Sequence, residues 1–99
     1  MSLPKYRLEL TDAARLDFDD ILLYTLLRWG EQQMNDYSDL IGRAFASIEA
    51  NPNVAATHAV VDYKCFRAGE HLIFYRVHQM TVFVVRILHS RMDIGRHLR

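Results

Sequence analysis

The fold of this chain is decided by residues 70–93, EHLIFYRVHQMTVFVVRILHSRMD. Two runs rich in β-branched and aromatic residues, at 72–77 and 81–88, flank a short polar break. Runs of this composition, so closely spaced, predict a β-hairpin. Neither run alternates cleanly between apolar and polar residues, so we expect both faces of the sheet to be covered.

A single arginine interrupts each of the two runs, Arg76 in the first and Arg86 in the second. A charge within a central strand needs a partner or an exit to solvent, which makes both arginines candidates for function. The face on which Arg86 lies depends on the turn. A two-residue turn places it with Ile73 and Tyr75, whereas a three-residue turn places it with Phe74 and Arg76, because a shift of one residue flips every side chain.

Before these runs the sequence predicts one strand and two helices. Residues 6–10 alternate in polarity, which is typical of a short strand. Thr11 is suited to cap a helix N-terminus and Gly30 to end one, so a first helix is expected to run to about Trp29. Apolar residues at helical spacing predict a second helix over about 31–50, which Pro52 prevents from continuing.

A further strand is predicted at 63–67, and residues 90–99 are expected to form a basic tail or a short terminal helix. The element order is therefore β-α-α-β-β-β, in one domain that spans residues 1–99. The very short link between the helices predicts an antiparallel helical hairpin. We predict an α+β fold in which this hairpin packs against an antiparallel sheet.

The composition excludes several classes of protein. The single cysteine, Cys65, excludes an internal disulfide and a zinc site with several cysteine ligands. The longest apolar stretch is cut by Arg76 and Arg86, so no membrane span is expected, and the first ten residues lack the apolar region of a signal peptide. No glycine-rich phosphate loop or metal-ligand spacing occurs, so we expect no cofactor and no metal. The single cysteine fits a reducing compartment, so we expect a cytoplasmic protein.

Charge is distributed unevenly along the chain. Residues 1–62 contain five Lys or Arg and ten Asp or Glu, whereas residues 63–99 contain seven and two, giving net charges of −5 and +5. Four of the five histidines lie in the basic part. This asymmetry is either a chance distribution of solvated charges or the mark of a surface that meets an anionic partner, such as nucleic acid.

The first predicted helix is apolar on more than one face. One stripe includes Ala14 and Phe18, and another contains Leu16, Leu23 and Leu27. Such a helix is either deeply buried or keeps a second face for a partner, and in so small a domain we favour the partner.

The basic last third also contains residues that can act on RNA. They are Lys64, Arg67, His71, Tyr75, Arg76, Arg86, His89 and Arg91. Cleavage by the RNA's own 2′-hydroxyl requires a general base, a general acid and cations, which these residue types supply. A metal-independent ribonuclease is therefore chemically possible; the alternative is that the arginines form ion pairs and His89 is structural.

The order and spacing of several motifs resemble the ParE toxins of the RelE/ParE superfamily. The resemblance covers nearly the whole chain, through Ala14, Phe18, Ile21, Trp29-Gly30, Tyr37, Asn51-Pro52, Gly69, the segment 74–77 (FYRV) and the segment 86–93 (RILHSRMD). It implies a RelE/ParE-like fold and the toxin half of a bacterial type II toxin–antitoxin operon.

Members of this superfamily have two activities. ParE-like members inhibit DNA gyrase and thereby block replication, whereas RelE-like members cut mRNA on the ribosome with a lysine-rich cluster. Lys64 is the only lysine after Lys5, and the tail after Arg91 has His97 but no tyrosine. These departures from the RelE-like pattern favour a gyrase inhibitor that is not an enzyme. The alternatives are the endoribonuclease and a degenerate toxin that only binds its antitoxin.

The resemblance also implies partners and sites. A ParD-type antitoxin is expected to bind the toxin at Leu16, Asp20, Leu23 and Leu27 and to form a hetero-oligomer with it. The toxin is expected to contact operator DNA only as part of this complex. The toxic, gyrase-binding surface or its support is expected at Tyr75, Arg76, Arg86, His89 and Arg91. If the protein is a ribonuclease, the catalytic residues are expected among His89, Arg91, Arg86 and Tyr75.

Overall fold

A computed structural model of the protein describes residues 5–98 and confirms the predicted α+β fold. Its elements are β1 (Arg7–Leu10), α1 (Asp12–Trp29), α2 (Glu31–Ala50), β2 (Lys64–Ala68), β3 (His71–His78), β4 (Thr81–His89) and α3 (Ile94–His97). A single turn of 3-10 helix, Pro52–Val54, follows α2. No helix in the described part of the chain is long and apolar enough to cross a membrane.

The sheet differs from the prediction in one respect, because it is mixed and not wholly antiparallel. Its strand order is β1-β4-β3-β2, and β1 runs parallel to β4 while the other two pairs are antiparallel. The helical hairpin carries the chain across the sheet before β2 begins, so β1 lies at the far edge beside the last strand. β1 pairs with a strand about 70 residues later in the chain, and the order of the elements does not indicate whether such a pair is parallel or antiparallel.

Local chemistry fixes the ends of the helices where the sequence predicts them. The Thr11 hydroxyl accepts a hydrogen bond from the Ala14 amide at 3.1 Å and donates one to the Val85 carbonyl at 2.9 Å. Thr11 therefore caps α1 and joins it to β4. Gly30, with φ of +93°, separates α1 from α2 in the left-handed region that favours glycine.

The core lies between the helical hairpin and one face of the sheet. Its buried members are Ala14, Ile41, Ala44, Ile48, Ala68, Ile73, Tyr75, Val82, Val84 and Ile87. The Tyr75 hydroxyl donates to the Pro52 carbonyl at 2.8 Å, which satisfies the one polar atom of that buried side chain. Burial of this apolar set is the main source of stability.

The opposite face of the sheet is covered around Phe74, but Arg76 and His78 of the same face are exposed, so the prediction of two covered faces holds only in part. Phe74 is fully buried and, because side chains alternate along a strand, it lies on the other face from Ile73 and Tyr75. The His58 ring contacts Phe74 edge-on, with ring centroids 5.6 Å apart. The segment between α2 and β2 therefore shields this part of the face from solvent.

A β-bulge determines the face of Arg86. The β3–β4 turn has two residues, with His78 opposite Thr81, but the pairing shifts between Tyr75, which lies opposite Val84, and Phe74, which lies opposite Arg86. The unpaired residue, Val85, places Arg86 on the same face as Phe74, which is the face expected of a three-residue turn, although such a turn would have paired Arg86 with Leu72. One alternative was therefore right about the two-residue turn and the other about the face of Arg86. Neither was right about both, because both assumed regular pairing.

Asp17 links α1 to β4 just beyond this bulge. Its carboxylate accepts from Arg86 Nε at 2.7 Å and Nη2 at 3.0 Å, and from the Ile87 amide at 2.9 Å. β1 pairs β4 only as far as Val84. The Ile87 amide therefore donates to Asp17 at a point where β1 no longer pairs with β4. Asp17 also provides the ion-pair partner that Arg86, a charged residue within a strand, needs.

Replacement of Asp17 by alanine is expected to lower the free energy of unfolding by about 2–3 kcal/mol, because it leaves the Arg86 guanidinium and a strand amide without their acceptor. Asp19→Ala is the matched control, since Asp19 is an exposed carboxylate of the same helix; its effect should stay within about 0.5 kcal/mol. Urea denaturation measures both. Equal losses in the two variants would contradict this role for Asp17.

Candidate functional site

Helix α1 presents an exposed apolar face, which we call the α1 face and define as Leu16, Asp20, Leu23, Tyr24 and Leu27. The three leucines are 63%, 54% and 77% exposed, in chain order, and Tyr24 is 62% exposed. Their spacing of three, four and seven residues aligns them along one side of the helix. Contiguous apolar exposure of this kind is typical of a surface that binds a partner.

A groove with a volume of about 710 Å³ adjoins the α1 face. We call it the histidine groove; its lining residues are Asp20, Ile21, Tyr24, Thr25, Trp29, Gln33, Tyr37, Glu70, His71 and His89. Asp20 and Tyr24 belong to both the face and the groove. The two features therefore form one continuous surface.

Two histidines and a tyrosine are in contact at one end of the groove. The Tyr37 hydroxyl lies 2.5 Å from His71 Nδ1 and accepts a hydrogen bond from the Glu70 amide at 3.0 Å. The His71 and His89 rings meet edge-on with centroids 5.2 Å apart. His89 Nδ1 in turn accepts from the Arg91 amide at 3.1 Å.

Burial keeps His71 and Tyr37 uncharged at neutral pH. Desolvation, aided by the neighbouring His89, lowers the pKa of His71 to about 4, although Glu70 and Asp17 act in the opposite direction. Desolvation also raises the pKa of the Tyr37 hydroxyl. His71 is therefore a neutral imidazole at pH 7.

The five residues predicted for the toxic surface do not converge in the structure. Tyr75 is fully buried in the core, and Arg86 is paired with Asp17, whose hydrogen bonds raise the pKa of the guanidinium further. Arg76 is exposed near the hairpin turn, with its guanidinium 5.6 Å from the centre of the Phe83 ring. His89 lines the groove, and Arg91 is exposed just after β4.

The groove also contains functional candidates that were not predicted as site residues from the sequence. Tyr24, Trp29, Tyr37 and Glu70 come from α1, α2 and the β2–β3 turn, and only the fold brings them together. Trp29 and Tyr37 belong to the motifs that carry the family resemblance, but nothing in their own segments of sequence assigns them to a site. Among residues 5–98, no group of three or more His, Cys, Asp or Glu side chains is arranged to hold a metal ion.

Comparison with known proteins identifies the family. The family model described as "ParE toxin of type II toxin-antitoxin system, parDE" matches residues 8–94. The chain belongs to the ParE toxin family. Toxin ParE1 of Mycobacterium tuberculosis (strain ATCC 25618 / H37Rv) is 37% identical over 92 residues, which cover 90% of this chain and 94% of that protein. Toxin ParE1 of Caulobacter vibrioides is 32% identical over 91 residues, with the same coverage.

A solved structure has the same fold. A chain described as "Chromosomal ParDE TA system from P. aeruginosa" superposes with a TM-score of 0.76, covering 88% of this chain and 98% of that one, at 16% identity. The family match and the fold agree, so the protein is a ParE toxin of a type II toxin–antitoxin system, as the sequence motifs indicate.

The stability of this ParE toxin is expected to fall as the pH decreases from about 6.5 towards 4. The folded pKa of His71, about 4, lies below the usual 6.5, so the unfolded chain binds a proton in this window that the folded chain does not. His71→Gln should flatten the dependence of the unfolding free energy on pH between these limits. Urea denaturation at several pH values tests this.

His78→Gln is the control for this measurement, because His78 is an exposed histidine near the end of the same strand. The His78 variant should show the same dependence of the unfolding free energy on pH between about 6.5 and 4 as the wild type. An unchanged slope in the His71 variant would contradict the account.

Proposed function

We propose that this ParE toxin inhibits DNA gyrase by binding, without catalysis, and that a ParD-type antitoxin neutralises it. The observation that carries the non-catalytic part is the composition of the histidine groove. Its two imidazoles lie with the carboxylates of Asp20 and Glu70, and no described residue that lines the groove is Lys or Arg. Cleavage of RNA requires cations that stabilise the charge on phosphorus, and a carboxylate-lined groove repels phosphate instead.

The remaining candidates for RNA cleavage are also poorly suited to it. The Tyr75 hydroxyl is buried and donates to the Pro52 carbonyl, so it does not reach solvent. Asp17 forms a bidentate ion pair with Arg86, which neutralises the charge of the guanidinium. Arg76 and Arg91 are exposed cations, which suits a binding surface for an anionic target better than a catalytic centre.

Neutralisation is proposed to occur on the α1 face. Leu16, Leu23 and Leu27 offer the anchor spacing that an amphipathic helix recognises, with Asp20 between them as a polar contact. A segment of the antitoxin that is disordered alone would fold along this helix. Toxin and antitoxin would then form a hetero-oligomer in the cytoplasm, and contact with operator DNA would occur only through the antitoxin.

The purified toxin is expected to inhibit supercoiling of relaxed plasmid by gyrase with ATP and to accumulate linear DNA, and added antitoxin should reverse both effects. Arg76→Ala should weaken the inhibition because it removes an exposed cation, while Arg43→Ala, an exposed arginine of α2, serves as the matched control. Absence of any gyrase effect, from a preparation that arrests translation and cuts mRNA, would reject the proposal in favour of the endoribonuclease.

The double variant Leu23→Asp/Leu27→Asp is expected to weaken antitoxin binding by about a hundredfold or more, because two charges would replace two apolar anchors. Isothermal titration calorimetry with the antitoxin encoded beside the toxin measures this. Ala46→Asp, at an exposed position of α2, is the control and should leave the affinity unchanged. Unchanged affinity in the double variant would exclude the α1 face as the docking surface.

A further inference from the structure

The histidine groove combines an aromatic wall with a negative charge. Tyr24 and Trp29 of α1 are more than 60% exposed, and Tyr37 of α2 completes the aromatic lining. Asp20 and Glu70 supply carboxylates from opposite sides, one from the helix and one from the β2–β3 turn. Aromatic faces and carboxylates together are the surroundings that a desolvated organic cation prefers.

Little in the described lining opposes a cation, since Arg86 lines only the adjoining cavity and its charge is paired with Asp17. The lining contains no Lys or Arg, and the burial that lowers the pKa of His71 to about 4 keeps that ring neutral at pH 7. His89 Nδ1 accepts a hydrogen bond from the Arg91 amide, and the carboxylates of Asp20 and Glu70 belong to the same lining. The groove therefore has a net negative character at neutral pH.

Trp29 already attracts a guanidinium within the chain. The Arg28 guanidinium carbon lies 5.9 Å from the centre of the Trp29 ring. A planar guanidinium can both stack on an aromatic ring and donate two parallel hydrogen bonds to a carboxylate, which an ammonium group does not do. The ligand chemistry that fits the groove best is therefore that of arginine.

We propose that the histidine groove binds an arginine side chain carried by a peptide segment that lies along the α1 face. The two surfaces are continuous through Asp20 and Tyr24. A peptide that covers Leu23 and Leu27 would therefore pass the mouth of the groove, which supports a peptide as the source of the arginine side chain. The assignment of that peptide to the antitoxin rests on the proposed function. The preference of the groove for an arginine side chain rests on its lining residues alone.

The test uses the full chain and two small probes that differ in charge but not in shape. Arginine amide is titrated into ¹⁵N-labelled toxin at pH 7, and citrulline amide, its neutral isostere, is titrated separately. The backbone amide signals of Thr25 and Gln33, which line the groove, report binding by NMR. Arginine amide is expected to bind about tenfold more tightly, as one cation–π contact and two carboxylates would predict.

The variant Asp20→Asn/Glu70→Gln should reduce the affinity for arginine amide to that for citrulline amide. Asp19→Asn, which changes an exposed carboxylate outside the groove, should not. Equal shifts from the two amides, or equal binding of arginine amide by the wild type and the double variant, would overturn the proposal.

A final titration identifies the source of the cation and is independent of gyrase. Saturation with the antitoxin should abolish the response of the groove to arginine amide, because the antitoxin's own side chain would occupy it. If the toxin–antitoxin complex still binds arginine amide as tightly as the free toxin, the groove is a site for a free organic cation and the peptide assignment is wrong.

Discussion

The carboxylate of Asp17 is the contact on which the arrangement of this molecule depends. It accepts three hydrogen bonds, two from Arg86 and one from the Ile87 amide, at the point where β4 extends beyond its partner β1. The β-bulge at Val85 brings Arg86 into this position. Thr11, at the start of the same helix, also joins it to β4. These contacts fix how α1 lies on the sheet and thereby which of its sides faces solvent.

That orientation divides the apolar surface of α1 into two parts. Ala14 is fully buried against the core, and the Phe18 ring meets Phe45 of α2 edge-on, with centroids 5.7 Å apart. The α1 face points away from these contacts, and the histidine groove opens beside it. A helix that is apolar on more than one face can therefore both hold the fold together and offer a partner surface.

Local features of the sequence predicted the fold well, because their chemistry acts within a few residues. Thr11, Gly30 and Pro52 mark the helix ends, and the β-branched runs give β3 and β4. The direction of β1 and the bulge at Val85 were not predictable, since both depend on pairing across the sheet. The exposed leucines of α1 were foreseen from their periodicity.

The groove was not foreseen, because it joins residues from four elements. Tyr37 and His71 are 34 positions apart and meet only once the helical hairpin lies on the sheet. The same is true of Arg86, whose partner Asp17 lies 69 positions earlier. Sequence reasoning therefore identified the charged residues that need partners but not the partners themselves.

We propose that the toxicity of this protein requires binding of its target and not acid–base chemistry. The most direct measurement is growth arrest by the variant His71→Gln/His89→Gln, expressed without antitoxin, with its fold checked by circular dichroism. The account predicts that this variant arrests growth as the wild type does and leaves broken chromosomal DNA with intact mRNA. Loss of toxicity in the folded variant, together with cleaved mRNA in cells that express the wild type, would contradict it.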